Sequence, residues 1–231
     1  VNNFFFFFSD IRPKCAVLGY GSWATAIVKT LTVNHHHVDW LVLNDEIRES
    51  LHERSRNSKY LPWCYIDKEF ITPSSDINAV VRDADIVFLA MPSAFFEKFL
   101  EPLTESLHDK LVVSAVKGII PGDYLTIVEH MNRYFDVPME NLAVVTGPSH
   151  AEEVGQCRLS YLTVAAEDSD TAKIVSEVLA NDYFRCSLSH DVLGVEAAAI
   201  MKNVYALAVG IAVGLRYGDN FLAVLISGCA N

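Results

Sequence analysis

The stretch VLGYGSWATAIV, which begins at Val17, decides the fold. Its G-x-G-x-x-A pattern follows a short apolar segment, residues 15–18, and opens a run with apolar residues at helical spacing. A strand, a tight turn and a helix in this order form the dinucleotide-binding fingerprint. Gly19 permits the turn, Gly21 lets the backbone approach a pyrophosphate, and Ala24 allows the helix to pack closely on the strand. The helix N-terminus then offers N–H donors to the phosphates.

Further apolar runs of strand length follow along the chain, and most are separated by segments with helical periodicity. These runs are residues 37–43, 85–90, 111–116, 142–145 and 159–165. Strands that alternate with helices predict an α/β fold with a Rossmann-like, doubly wound parallel sheet and right-handed crossovers.

The composition divides the chain into three parts. We expect residues 1–13, with their five phenylalanines, to be a disordered or non-native leader, because no basic residue or cleavage site marks a secretory signal. Residues 14–182 form the predicted nucleotide-binding domain, and residues 183–231 the start of an all-α domain. The chain lacks an initiating Met and ends at LISGCAN without a helix stop, so we expect a truncated fragment with an incomplete helical domain.

Residues 192–215 are nearly all Ala, Val, Leu and Gly, which raises the question of a membrane span. Glu196, Lys202 and Asn203 fall within this run and would be costly in hydrocarbon, so we expect no membrane insertion.

The net charge and the cysteines narrow the class of protein. A formal net charge of -11, with a pI near 5.1, would repel nucleic acids and anionic membranes.

The 5 cysteines are widely spaced and form no C-x-x-C pair, so we expect neither disulfides nor a metal site. We also expect a cytoplasmic location, where thiols stay reduced. The cysteines are Cys15, Cys64, Cys157, Cys186 and Cys229.

The end of the second predicted strand bears on the choice between NAD and NADP. An acidic residue there favours a free ribose 2′-hydroxyl, whereas an arginine accommodates a 2′-phosphate. Asp45 favours NAD, but Arg48 lies one helical turn further on and could serve a phosphate. The sequence leaves both cofactors open.

Two lysines stand in apolar surroundings. Lys117 ends the strand LVVSAVKG, at the sheet edge where ligands of such folds bind. Lys202 lies in the helix EAAAIMKNVYALAVG, where it is either partly desolvated and able to donate a proton near neutral pH, or extended to the surface. Between them, TGPSHAEEV has Ser149 and Glu152 at capping-box spacing, while Gly147 and Ser149 would leave room for a nicotinamide ring.

Two polar clusters are interpreted as solvated surface. The histidines at positions 35–37 lie where a helix gives way to a strand and have no partner at metal-ligand spacing. The run HERSRNSK, from His52, is typical of an exposed helix face.

Four motifs in order carry a family resemblance: GYGSWATA from Gly19, SAVKGI from Ser114, GPSHAEEV from Gly147, and GVEAAAIMKNVYALAVGIAVGLRYGDN from Gly194. Together they resemble the NAD(P)-dependent glycerol-3-phosphate dehydrogenases of bacterial type, over nearly all of residues 14–226.

The resemblance implies reduction of dihydroxyacetone phosphate by NADH or NADPH to sn-glycerol 3-phosphate, for phospholipid synthesis, with small-molecule partners and a homodimer allowed. It implies that Lys202, beside Asn203, is the proton donor and acceptor and lines the substrate. The other implied contacts are Ser22, Trp23, Lys117 and Ala151 with cofactor, and Lys117, Gly147, Ser149 and Asn203 with substrate.

The chain departs from the family in two places. Leu43 and Asn44 stand where the family often has an arginine, which puts the usual NADPH preference in doubt. The family's helical domain also continues beyond this chain's end with an Asp and a Ser-Arg-Asn stretch that bind the substrate phosphate, so we expect cofactor binding with poor turnover. The alternatives are a related dehydrogenase acting on another hydroxy substrate, and a nucleotide-binding module without catalysis.

Overall fold

A computed structural model of the chain describes residues 12–230, without the side chains of residues 229 and 230. The expected leader, residues 1–13, lies almost wholly outside the described residues. The strands are β1 Cys15–Leu18, β2 Val38–Leu41, β3 Ile71–Ser74, β4 Ile86–Leu89, β5 Leu111–Ser114, β6 Leu142–Thr146, β7 Ser160–Ala166 and β8 Phe184–Ser189. The helices are α1 Ser22–Val33, α2 Asp45–Arg54, α3 Ile77–Arg82, α4 Phe96–Leu100, α5 Ile127–Phe135, α6 Ala151–Gly155, α7 Ser169–Leu179, α8 Val192–Gly214 and α9 Asp219–Ala230.

The strands form one eight-stranded sheet in the order β3-β2-β1-β4-β5-β6-β7-β8. The strands from β3 to β6 in this order pair in parallel, which confirms the predicted doubly wound arrangement. Strand order reverses between β1 and β4, and the carboxyl ends of the strands open a crevice at such a point.

The central strands are continuous apolar runs because helices cover both faces of the sheet. All residues of β1 and β4 are fully buried. One face packs around Trp40 and Phe88 beneath α1 and α7, and the other around Phe96 and Met131 beneath α4 and α5.

The sequence analysis missed the reversal of two strands and the existence of two others. β7 pairs antiparallel with β6, and β8 runs parallel to β7, so both run opposite to the other six strands. β3 escaped prediction because Pro73 and flanking polar residues disguise it, yet an edge strand tolerates a proline. β8 escaped because it is mostly exposed and polar.

The predicted domain boundary at residue 182 falls before the last strand of the sheet. β8 ends at Ser189, and α8 begins at Val192, where the Asp191 carboxylate caps it by accepting from the Gly194 N–H at 2.9 Å. The sheet therefore extends to residue 189, and the helical part begins after it.

The helix α8 has 23 residues and, within residues 12–230, is the one helix long and apolar enough to cross a membrane by length and composition alone. Its N-terminal part packs on the protein through Val192 and Glu196, which are both about 5% exposed. Most of its remaining length is exposed.

Candidate functional site

The glycine turn after β1 has a backbone that only glycine fits. Gly19 has a φ of +124°, and a Cβ placed on it would lie 2.3 Å from the backbone oxygen of Ala90. The indole Nε1 of the buried Trp40 donates to the Gly19 oxygen at 2.6 Å and holds the turn from the side of β2. The turn is thus fixed on both sides by the neighbouring strands.

The N-terminus of α1 faces open space. A Cβ placed on Gly21 would have no atom within 4 Å, and no side chain caps the helix. The first N–H groups of a helix lack internal partners, so they are available to an anionic group here. The tight turn at Gly19 and the open approach at Gly21 suit the contacts that the fingerprint predicts, and the pyrophosphate contact itself stays a prediction.

A cavity of about 770 Å³ opens in front of this turn. Its walls come from the residues after β1, β2, β4 and β5 and from the start of α6, all at the carboxyl edge of the parallel strands. The predicted site residues that line it are Gly19, Gly21, Ser22, Trp23, Lys117, Ser149 and Ala151.

Trp23 and Lys117 meet at the cavity wall. The Lys117 Nζ lies 5.7 Å from the centroid of the Trp23 ring, within range of a cation–π attraction. Loss of solvent around its ammonium lowers the pKa of Lys117, and the charge of Lys202 lowers this pKa further. The buried Trp23 Nε1 has no hydrogen-bond partner among the described residues, so a polar ligand atom would satisfy it.

Lys202 and Asn203 are exposed on α8 and do not line the cavity. Of the two sequence interpretations of Lys202, the surface position is the observed one, because the middle of α8 faces outward. The charge of Lys202 nevertheless contributes to the lowered pKa of Lys117, so the two ammonium groups lie within electrostatic range of each other.

The two predicted site residues that follow β6 have different surroundings: Gly147 packs against β7, and Ser149 lines the cavity. A Cβ on Gly147 would lie 2.8 Å from the Tyr161 oxygen, so Gly147 packs against β7 rather than lining the cavity. Ser149 lines the cavity and its Oγ donates to the same Tyr161 oxygen at 3.3 Å. The predicted capping box of Ser149 and Glu152 is wrong, since His150 precedes α6 and makes no side-chain cap.

Asn57 is a site residue that the sequence analysis missed. Its side chain is fully buried and donates to the Tyr20 oxygen at 3.0 Å and to Thr25 Oγ1 at 2.9 Å. Its own oxygen accepts from the N–H groups of Lys59 and Tyr60, both at 3.1 Å. The interpretation of HERSRNSK as an exposed helix face is therefore wrong beyond residue 54, where α2 ends.

One member of the histidine cluster at positions 35–37 departs from the expected solvated surface. His36 is buried, burial lowers its pKa, and its Nδ1 lacks a partner within the described part of the chain. Only His35 and His37 are therefore exposed as expected.

The sequence analysis also did not foresee that Glu97, Asp123 and His130 come together. The contact between His130 Nδ1 and Asp123 Oδ2, at 3.0 Å, is an ordinary hydrogen bond that accounts for this pair without an ion.

The residues present fit a dinucleotide on three structural observations. The Gly19 turn leaves no room for a side chain, the N-terminus of α1 is uncapped, and the Trp23 Nε1 is buried without a partner. These features surround one cavity at the reversal of strand order. The geometry supports a site for a phosphate-linked nucleotide.

Comparison with known proteins agrees with this geometry. The sequence model for the N-terminus of NAD-dependent glycerol-3-phosphate dehydrogenase matches residues 14–172, and the model for the C-terminus of that enzyme matches residues 191–231. Glycerol-3-phosphate dehydrogenase [NAD(P)+] of Agathobacter rectalis is 36% identical over 216 residues, and the match covers 93% of this chain and 63% of that protein. The Bacillus pumilus enzyme is 35% identical, with coverages of 93% and 62%.

Solved structures give the same family. The crystal structure of glycerol-3-phosphate dehydrogenase from Coxiella burnetii superposes with a TM-score of 0.81 at 27% identity, covering 94% of this chain and 66% of that chain. The Plasmodium falciparum enzyme, at 23% identity and a TM-score of 0.86, shares the fold, with coverages of 95% and 64%. The chain spans a little less than two thirds of the length of its curated relatives, 63% for the Agathobacter rectalis enzyme. On these matches and its site geometry, the chain belongs to the NAD-dependent glycerol-3-phosphate dehydrogenase family.

Proposed function

We propose that this chain transfers a hydride between NAD(P)H and dihydroxyacetone phosphate, giving sn-glycerol 3-phosphate. One observation carries the proposal: the Lys117 ammonium lies over the Trp23 ring at the cavity wall. The charge of Lys202 adds support, because it contributes to the lowered pKa of Lys117. Two ammonium groups beside a nucleotide cavity suit a small phosphorylated substrate in a chain whose net charge of -11 would otherwise repel it. The proposal includes a cytoplasmic location, small-molecule partners, allowance for a homodimer, and a role in supplying phospholipid synthesis.

The cofactor would be held along the front of β1. Gly19 and Gly21 let the backbone approach the pyrophosphate, the start of α1 supplies N–H groups from Ser22 onward, and Trp23 and Ala151 border the nicotinamide side. When bound, the nicotinamide ring supplies or accepts the hydride. The chain's own residues supply orientation and charge.

The substrate would lie between Lys117 and Lys202. As a C–H bond forms at the carbonyl carbon, the oxygen becomes an alkoxide, and the Lys202 ammonium gives it a proton. The resulting neutral amine regains its proton from water. The positive charge of Lys117 stabilises the same developing anion, while Ser149 and Asn203 fix the hydroxyl end of the substrate.

The test follows reduced-nicotinamide absorbance when the chain is mixed with dihydroxyacetone phosphate and either NADH or NADPH. Lys202→Ala and Lys117→Ala should both lose turnover, whereas Lys173→Ala, an exposed lysine paired with Asp170, should keep it. Persistent turnover in Lys202→Ala would refute the proton-donor assignment. Turnover of another ketone together with none of dihydroxyacetone phosphate would refute the substrate assignment.

A second candidate, a nucleotide-binding module without catalysis, has one observation in its favour. Lys202 and Asn203 are exposed and stand outside the cavity wall. Titration of the chain with NADH, followed by the same absorbance assay with a panel of other hydroxy substrates and their ketones, separates the candidates. Binding with no turnover on any of them would favour the module, and turnover on another substrate a related dehydrogenase.

A further inference from the structure

The residues after β2 emerge beside the glycine turn. β2 pairs in parallel with β1, and Leu41 lies opposite Leu18 in the register. Leu43 lines the cavity and is 47% exposed, so the chain presents an apolar side chain at this wall. In folds of this kind the adenine-linked ribose lies at this strand end, and the residues here contact its 2′-position.

Arg48, the arginine nearest this strand end in sequence, is already committed to the protein. One guanidinium nitrogen donates to the Val42 backbone oxygen and the other to the Asp45 carboxylate. The Arg48 side chain is 25% exposed, whereas the Asp45 side chain is 91% exposed. The carboxylate, and not the guanidinium, is therefore the group that faces solvent.

The neighbouring lysine, Lys59, is also paired with a side chain of the protein. Lys59, which precedes the cavity-lining Tyr60, places its Nζ 2.9 Å from the Glu46 carboxylate. Asp45 and Glu46 form the first turn of α2, where their charges also offset the positive end of the helix dipole. A 2′-phosphate would thus meet two carboxylates whose neighbouring cations are both paired.

We infer that Asp45, assisted by Glu46, makes this site select NAD(H) over NADP(H). This inference rests on the proposed nucleotide binding at the glycine turn. A free 2′-hydroxyl can donate to the exposed Asp45 carboxylate, whereas a 2′-phosphate carries negative charge towards it. To bind a 2′-phosphate, the Arg48 guanidinium would have to break its hydrogen bonds to the Val42 oxygen and the Asp45 carboxylate. The Asp45 carboxylate would then lie unpaired beside the phosphate.

The test measures equilibrium binding of NADH and NADPH by titration calorimetry at low and high salt. The unaltered chain should bind NADH about tenfold more tightly than NADPH. Asp45→Asn should reduce this ratio by weakening NADH and strengthening NADPH, and high salt should shrink the difference, as expected for exposed charges. Asp109→Asn is the matched control, because it removes one 95% exposed carboxylate far along the chain from this strand end.

Arg48→Ala separates this inference from its opposite. If Arg48 bound the 2′-phosphate, its removal would weaken NADPH selectively, whereas we expect the preference for NADH to rise because Asp45 loses its partner. Equal affinities, or tighter NADPH binding, in the unaltered chain would overturn the inference and leave the proposed function intact. Failure to bind either cofactor would overturn the proposed function itself.

Discussion

The side-chain amide of Asn57 donates to the backbone oxygen of Tyr20 at 3.0 Å, across 37 residues of sequence. This hydrogen bond joins the end of the α2 region to the turn between the two glycines, and Asn57 also binds Thr25 in α1. The glycine turn is therefore held from outside by a loop that the glycine motif does not contain.

We expect Asn57→Ala to weaken both stability and nucleotide binding. The substitution leaves buried polar groups of Tyr20 and Thr25 without their partner, at a cost of about 2 kcal/mol of unfolding free energy. Urea unfolding and NADH titration measure the two effects. Asn78→Ala is the control, because Asn78 makes similar loop contacts to Pro102 and Thr104 outside the cavity wall and should cost stability while leaving affinity unchanged.

The two glycines of the turn should respond differently to substitution. Gly19→Ala should destabilise the fold by about 3 kcal/mol or more, because its φ of +124° and its 2.3 Å approach to the Ala90 oxygen both exclude a Cβ. Gly21→Ala should fold normally, because its φ is -73° and its Cβ would meet open space, yet it should lose nucleotide affinity. Unimpaired NADH binding by Gly21→Ala would contradict the approach of a pyrophosphate at this point.

Lys202→Met should raise the pKa of Lys117 towards its ordinary value. Desolvation, the larger cause of the lowered pKa, would remain, but the like charge of Lys202 would be gone. Lysine side-chain NMR titration of Lys117 measures the shift. Lys98→Met is the control, since Lys98 also lines the cavity but does not contribute to the lowered pKa of Lys117. An unchanged Lys117 titration in Lys202→Met would mean that the two ammonium groups do not interact.

Glu196 should make stability fall as the pH rises through neutrality. Burial raises its pKa from 4.5 to about 7, and the charge of Glu129 adds to this, while contacts with Thr126 and the N–H groups of residues 127 and 128 oppose it. The folded chain therefore holds a proton that the unfolded chain releases above pH 4.5. The associated stability is fully present below that pH and is lost as the pH rises to about 7, by roughly 3 kcal/mol at most.

Two variants test this pH dependence by urea unfolding between pH 4.5 and 8. Glu196→Gln cannot ionise and should remove the slope, so it should be more stable than the parent at pH 8. Glu129→Gln keeps a side chain suited to the capping box with Thr126 and should move the slope to lower pH, because it removes the like charge. A slope unchanged by Glu196→Gln would assign it to other groups.

Much of the fold could be predicted because the decisive signals are local. The glycine turn follows from a strand, a fixed spacing and a helix in sequence, and Lys117 follows from its place at a strand end. The direction of β7 is not a local property, because an antiparallel and a parallel strand have similar composition when both are buried. β3 and β8 are the two edge strands of the sheet, and their greater exposure removes the continuous apolar signal of the central strands.

The candidate site was predicted well where backbone shape decides and poorly where distant residues meet. Asn57 carries no distinguishing signal within a charged run, since its role depends on Tyr20 and Thr25, which lie more than 30 residues away. Arg48 could be assigned to a phosphate or to a carboxylate until its contacts with Val42 and Asp45 were seen. Residue type indicates what a group can do, and the partner determines what remains available.

The reversal of β7 and β8 also sets the heading of the helix that follows. Ser189, the last residue of β8, pairs with Ala165, which in turn lies beside Val144 in the middle of β6, so the chain leaves the sheet while travelling away from the cavity edge. Val192 then packs into the core, and the ten residues to Lys202 lift the chain by about 15 Å. A parallel β7 and β8 would have released the chain at the cavity edge itself, and the same ten residues would then have carried Lys202 away from Lys117. The reversed direction of β7 and β8 thus allows the first half of α8 to bring the Lys202 ammonium back within electrostatic range of Lys117.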